Sequence, residues 1–196
     1  MGISSANFNL ITTVEELLGG WQGKRVLDLG NQLLRGGEGR RTSKDYFTSL
    51  GATHVSFDLN GQDGAIPIDL CKPVPEEYWG TFDVVTNFGT SEHIANQEQV
   101  FQTIHNCCKM EGYMIHSIPP VGSWPGHCPY RYRKDFEDRL AEWGGYEILH
   151  SSEVPRLGTV LKNLLLKRTW RLQIGEFPSN SVEFSTSYRK NTDNLF

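Results

Sequence analysis

Five places in this 196-residue chain set a carboxylate, an amide or a glycine where an apolar run ends. They are Asp28–Gly30, Asp58, Asp69, Asn87–Phe88 and the segment after Ile118. In an open parallel sheet, ligands bind beyond the carboxyl ends of the strands, near the point where strand order reverses. A glycine at position 30 permits a tight turn and lets backbone approach a ligand. A carboxylate at position 58 is placed to accept both hydroxyls of a ribose. A solvated strand end accounts for Asp58 taken alone. Asp28 and Gly30 in the preceding apolar run favour the ligand reading.

A second group lies in residues 116–132, HSIPPVGSWPGHCPYRY. Proline-stiffened aromatic loops at a strand end make walls for a small, flat substrate, here His116, Trp124, Tyr130 and Tyr132. His93, His116 and His127 are the candidates for a general base, because histidine titrates near neutral pH. His127 sits in a glycine-flanked loop and ranks first. His93 follows Glu92 at an expected helix start and ranks second. His116 holds an alternating strand position, so a core role is as good a reading as a functional one. His116, His127 and Cys128 match no ligand spacing, and Cys107 and Cys108 fall on the apolar face of a helix; no metal is expected.

These residues need elements to position them. Thr13 and Glu16 suggest a capping box, and Val14, Leu17, Leu18 and Trp21 recur at helical spacing before Gly19–Gly20 end the turn. Residues 24–30, 54–59, 65–70, 81–88, 112–118, 146–154 and 161–171 read as strands. Residues 43–50, 97–110 and 133–143 read as helices. The alternation predicts an α/β protein: a Rossmann-like, doubly wound, mostly parallel seven-stranded sheet with helices on both faces. One domain is expected over residues 1–175, with an N-terminal helix in 1–23 and a substrate-side loop at 119–133. Residues 176–196 are expected to form a polar strand or tail.

With these motifs in order, the sequence resembles the class I S-adenosylmethionine-dependent methyltransferases. RVLDLG resembles their first motif, VSFDL the strand with the ribose-binding acid, and PIDL the segment bordering the adenine. FDVVTNFGTSEHI resembles their fourth strand and its loop, and MEGYMIHSIP the glycine-led fifth strand. The resemblance runs from about residue 24 to 153 and implies S-adenosylmethionine as cofactor. It implies that Asp28 and Gly30 line the methionine end, with Asn31 and Gln32 beside them. It implies further that Asp58 holds the ribose, Asp69 and Leu70 border the adenine, and Asn87 and Phe88 lie near the transferred methyl group. Two departures stand out. Gly30 is followed by Asn31 and Gln32 rather than by Gly-x-Gly, with an inserted loop at 33–41 that could cover the methionine carboxylate with Gln32 as donor. The interval from Asp58 to Phe82 also leaves no room for a full helix.

Composition excludes other classes. Nineteen Lys and Arg against 23 Asp and Glu give a net charge of −4, without the basic stripe that nucleic acid demands. GNQLLRGGEG fails the dinucleotide fingerprint, and the kinase-type phosphate loop is absent. No apolar run suits a membrane span. The first residues lack a secretory leader's pattern, and four cysteines without CxxC spacing suit a reducing compartment, so the cytoplasm is expected. The activity expected is methyl transfer to an oxygen of a small acceptor. The alternative is a fold that binds the cofactor, or a partner, without turnover.

Overall fold

The computed structural model describes residues 2–34, 41–155 and 181–193. Six strands form the main sheet: β1 (Arg25–Leu29), β2 (Thr53–Phe57), β3 (Phe82–Phe88), β4 (Cys108–Ile118), β5 (Tyr146–Pro155) and β6 (Ser181–Lys190). Their order is β2–β1–β3–β4–β6–β5. The first four run parallel, and β6 is antiparallel to both its neighbours. The chain leaves β1 for β2 on one side and then crosses to β3 on the other. Strand order therefore reverses between β1 and β3, and a crevice is expected at their carboxyl ends. A separate parallel pair joins Gly2–Ile3 to Leu33–Leu34.

Strand residues alternate between two buried clusters, as a period of two requires. Val26, Val84 and Ile115 pack with Leu10, Ile11 and Val14 of helix α1 (Ser5–Leu18) and Phe47 of α2 (Ser43–Ser49). Leu27, Val85 and Met114 pack with Val100, Phe101 and Ile104 of α3 (Gln97–Cys107) and Leu140 of α4 (Phe136–Gly144).

Three expectations about the elements need correction. Helix α1 begins eight residues before Thr13: Ser4 caps it, accepting the Asn7 N–H at 3.4 Å. The Thr13 hydroxyl instead donates to Asn9 O within the helix. Second, the strand predicted at 65–70 is reduced to one bridge between Phe57 and Ile66, and the main sheet formed by the described residues has six strands. Pro67 brings no N–H, and Ile68 turns its own N–H back onto Ile66 O at 2.8 Å, which ends the ladder. Third, where a polar strand or tail was expected at 176–196, Ser181–Lys190 form a strand, and it lies inside the sheet between β4 and β5. The strand predicted at 161–171 lies outside the described residues.

The arrangement buries an acid. The Tyr188 hydroxyl on β6 donates to the Glu137 carboxylate of α4, and burial pushes that carboxyl from 4.5 up to about 7 although the tyrosine bond opposes the shift. Between those pH values the folded chain keeps a proton that the unfolded chain has lost. Stability therefore falls as pH rises through this window, by on the order of 3 kcal/mol. Denaturant unfolding at pH 5 and pH 8 should show that loss, and Glu137→Gln should remove most of it. An unchanged slope in the variant would assign the effect to another group.

Candidate functional site

The turn after β1 is fastened to the end of β2. Gly30 has φ +82°, a conformation that favours glycine, and its N–H donates to Phe57 O at 2.8 Å. One Asp58 carboxylate oxygen accepts the Asn31 N–H at 2.8 Å and the other accepts the Asn60 N–H at 3.0 Å. The Asn31 side-chain amide reaches Gln62 O at 3.2 Å and the Asp63 carboxylate at 2.7 Å. Asp58 thus organises two loops, and its half-buried oxygens keep lone pairs for further donors. Leu59, next along, is 69% exposed, an apolar surface at the ligand end of the sheet. Sequence reasoning missed it, although it is the last residue of the VSFDL motif.

Asp69 accepts the Cys71 N–H at 3.0 Å and pairs with Lys72 at 3.3 Å. Those contacts, the backbone bond first, hold its carboxyl below the usual range. Leu70 is buried in the core cluster that includes residues of α3.

Asp28 is placed differently from expectation. It is fully buried, and its carboxylate accepts the hydroxyls of Ser43 and Thr86 and meets His54 Nε2 at 3.0 Å. It therefore fastens α2, β2 and β3 to β1 rather than lining a cavity. Phe88 is buried in the cluster that includes residues of α1 and α2. Asn87 spends its amide on Ser91, donating to its hydroxyl at 2.9 Å and accepting its N–H at 3.0 Å. These side chains shape the turn after β3 from inside the protein.

Gln32, where the second glycine of the expected loop would stand, is buried with its side chain turned across the crevice. Its Nε2 donates to Leu29 O and to Thr90 Oγ1, each at 3.1 Å. Thr90 Oγ1 in turn donates to Leu29 O at 2.6 Å. The loop after β1 and the loop after β3 are thereby joined. Residues 35–40 of the expected insertion lie outside the described residues.

That second loop carries His93, and the loop after β4 carries His127. Gly89 N–H donates to Ser117 O at 2.9 Å, and one 3₁₀ turn over Ser91–His93 stands where a helix start was expected. The His93 and His127 rings meet edge to face, centroids 5.1 Å apart, and His127 lies 5.7 Å from Trp124. No local pattern in the sequence joins positions 93 and 127; the fold does. Burial, and then His127, hold the His93 pKa below its ordinary value. The surrounding loop is fixed by Arg131, which donates to Ser123 O at 2.6 Å and Trp124 O at 2.5 Å. Tyr130 donates to Ala95 O at 2.9 Å. The buried Tyr132 donates to Gln97 Oε1 at 2.8 Å.

His116 is a correction. It is 1% exposed, stacked on Phe101 at 5.8 Å and edge-on to Tyr188 at 5.3 Å. Burial pushes its pKa down to about 3. It is a neutral core histidine, not a substrate wall. Tyr130 and Tyr132 line a groove of about 670 Å³ with Phe101, Phe136, Leu140 and Trp143, on the α3–α4 side of the loop. A polar cavity of about 450 Å³ lies at Thr42, Lys44, Asp45 and Asp63. Among the described residues no group of three or more His, Cys, Asp or Glu could hold a metal ion, and no helix is long and apolar enough to cross a membrane.

No family model matches this sequence, and no curated protein matches it. Solved structures do. The 1,6-didemethyltoxoflavin-N1-methyltransferase of Burkholderia thailandensis, solved with 1,6-didemethyltoxoflavin and S-adenosylhomocysteine, superposes with a TM-score of 0.62 at 16% identity, covering 96% of this chain and 79% of that one. The chain has the class I methyltransferase fold. An S-adenosylmethionine-dependent methyltransferase from Mesorhizobium loti matches with a TM-score of 0.55 at 14% identity, over 91% of this chain and 96% of its own. One from Archaeoglobus fulgidus matches at 0.57 and 11%, over 94% of each chain. Within this methyltransferase fold, the Asp58 clamp and the His93–His127 pair both stand at the carboxyl ends of the parallel strands.

Proposed function

We propose that the protein transfers the methyl group of S-adenosylmethionine to an oxygen of a small acceptor in the cytoplasm. The observation that carries this reading is the Gln32–Thr90 bond. It ties the Asp58-clamped turn, suited to a nucleoside, to the turn bearing His93, whose ring meets His127. The residues fit the cofactor: Asp58 retains lone pairs for ribose hydroxyls, and Leu59 offers an apolar face to a flat base. Asp69 borders the same end.

The cofactor supplies an electrophilic methyl on a sulfonium. His127, with His93 against it, takes the acceptor's hydroxyl proton while the oxygen lone pair forms the new bond to carbon and the sulfur–carbon bond breaks. A lowered His93 pKa keeps that ring neutral at pH 7, so the pair does not carry two charges. Trp124 and Tyr130 wall the acceptor, and holding it in line with the methyl does most of the work. The net charge of −4 argues against a nucleic-acid acceptor.

Calorimetric titration with S-adenosylmethionine, S-adenosylhomocysteine and NAD tests the reading: the two sulfur ligands should saturate and NAD should not. Asp58→Ala should weaken S-adenosylhomocysteine roughly ten- to a hundredfold, because hydrogen bonds to a charged group are strong. Unchanged affinity would remove Asp58 from the ribose site. A second reading, binding without turnover, is favoured by the missing glycine pair after Gly30; no S-adenosylhomocysteine release across a broad acceptor panel would establish it.

A further inference from the structure

We infer that Gln32 supplies, through its side-chain carbonyl, the acceptor for the α-ammonium group of the cofactor's amino-acid end. The inference rests on the reading above and reverses the polarity expected for this residue. As a donor to a carboxylate, Gln32 would need a free amide N–H. Both of its amide hydrogens are used, one on Leu29 O and one on Thr90 Oγ1. The orientation of the amide follows from chemistry. Leu29 O can only accept, and Thr90 gives its single hydroxyl proton to that same carbonyl, so both partners demand the nitrogen.

The oxygen Oε1 is left over. It is buried and has no hydrogen-bond partner among the described residues, and an orphaned buried acceptor costs free energy that folds rarely leave uncompensated. Gln32 spans β1 and β3, the two strands between which strand order reverses, where ligands of such sheets enter. Its backbone is also fixed, since Gln32 O accepts the Ser43 N–H at 3.0 Å. A side-chain carbonyl oriented by two bonds at its amide nitrogen, and lacking only a donor, suits a cationic N–H group rather than an anion. A carboxylate there would face lone pair against lone pair. Side-chain recognition would thus replace the close backbone approach that a second glycine permits.

The test is calorimetry with S-adenosylhomocysteine and its analogue lacking the α-amino group. Wild-type protein should prefer the amino-bearing ligand by roughly ten- to a hundredfold. Gln32→Met, similar in volume but without an amide, should bind both ligands about equally, at the level of the weaker one. Gln32→Asn, which keeps an amide but withdraws its carbonyl, should lose the preference likewise and serves if the first variant does not fold. Equal wild-type affinity for the two ligands overturns the inference, as does a preference that survives in the variants. Tighter binding by a variant overturns it too and makes Gln32 a plug in the crevice. If wild-type protein binds neither ligand, the cofactor reading itself fails, an outcome distinct from the others.

Discussion

Asp28→Ala is expected to cost the fold about 3–5 kcal/mol, the range for removing one partner from a buried charged network. For a chain of this size that is a fall in Tm of roughly 6–20 °C. The reason lies in what surrounds the carboxylate. Ser43 comes from the start of α2, His54 from β2 and Thr86 from β3, and all three converge on Asp28 of β1. Removing the acceptor leaves two hydroxyls and an imidazole facing a site closed to water, each with its own desolvation penalty. Asp28→Asn should lose less, because its remaining carbonyl keeps one hydroxyl while its amide turns a donor toward other donors. Thermal unfolding of both variants decides the matter. A variant that melts like wild type but no longer binds S-adenosylhomocysteine would return Asp28 to the cofactor site.

Asp28 also shows what could be read from the sequence. The apolar runs of β1 and β3 are legible because strands buried on both faces need apolar side chains at nearly every position. RVLDLG and TFDVVTNF therefore declared themselves, and so did the acids and amides at their ends. What those polar groups touch was not legible. The partners of Asp28 lie 15, 26 and 58 residues away, separations at which no helical or strand period links residues. The same holds for the meeting of His93 with His127.

The place of strand β6 inside the sheet, where only a polar strand or tail was expected, was hidden for a different reason. FSTSYRK reads as surface, yet Ser185, Thr186 and Ser187 are buried between β4 and β5. Pairing on both edges satisfies their backbone, and a strand needs no apolar run where its neighbours close over it. His116 was ambiguous for the same reason, since alternation gives a strand position without saying what lies above it. Thr186, directly across from His116 in the ladder, and Phe101, stacked on its ring, settle that it belongs to the interior.

With His116 in the core, the proton chemistry falls to the remaining pair, and His127→Ala should lower kcat by roughly 10²- to 10⁴-fold, the usual worth of a positioned general base. Its affinity for S-adenosylhomocysteine should stay within about twofold, because the nucleoside contacts assigned to Asp58, Leu59 and Asp69 are on the other loop. His93→Ala should cost less, since its ring bears on His127 rather than replacing it. Product release at constant cofactor saturation, followed in wild type and both variants, separates these effects. A loss of cofactor binding in His127→Ala would move that residue to the cofactor side of the crevice, and a fall in kcat as large in His93→Ala as in His127→Ala would show that His93 does more than support its neighbour.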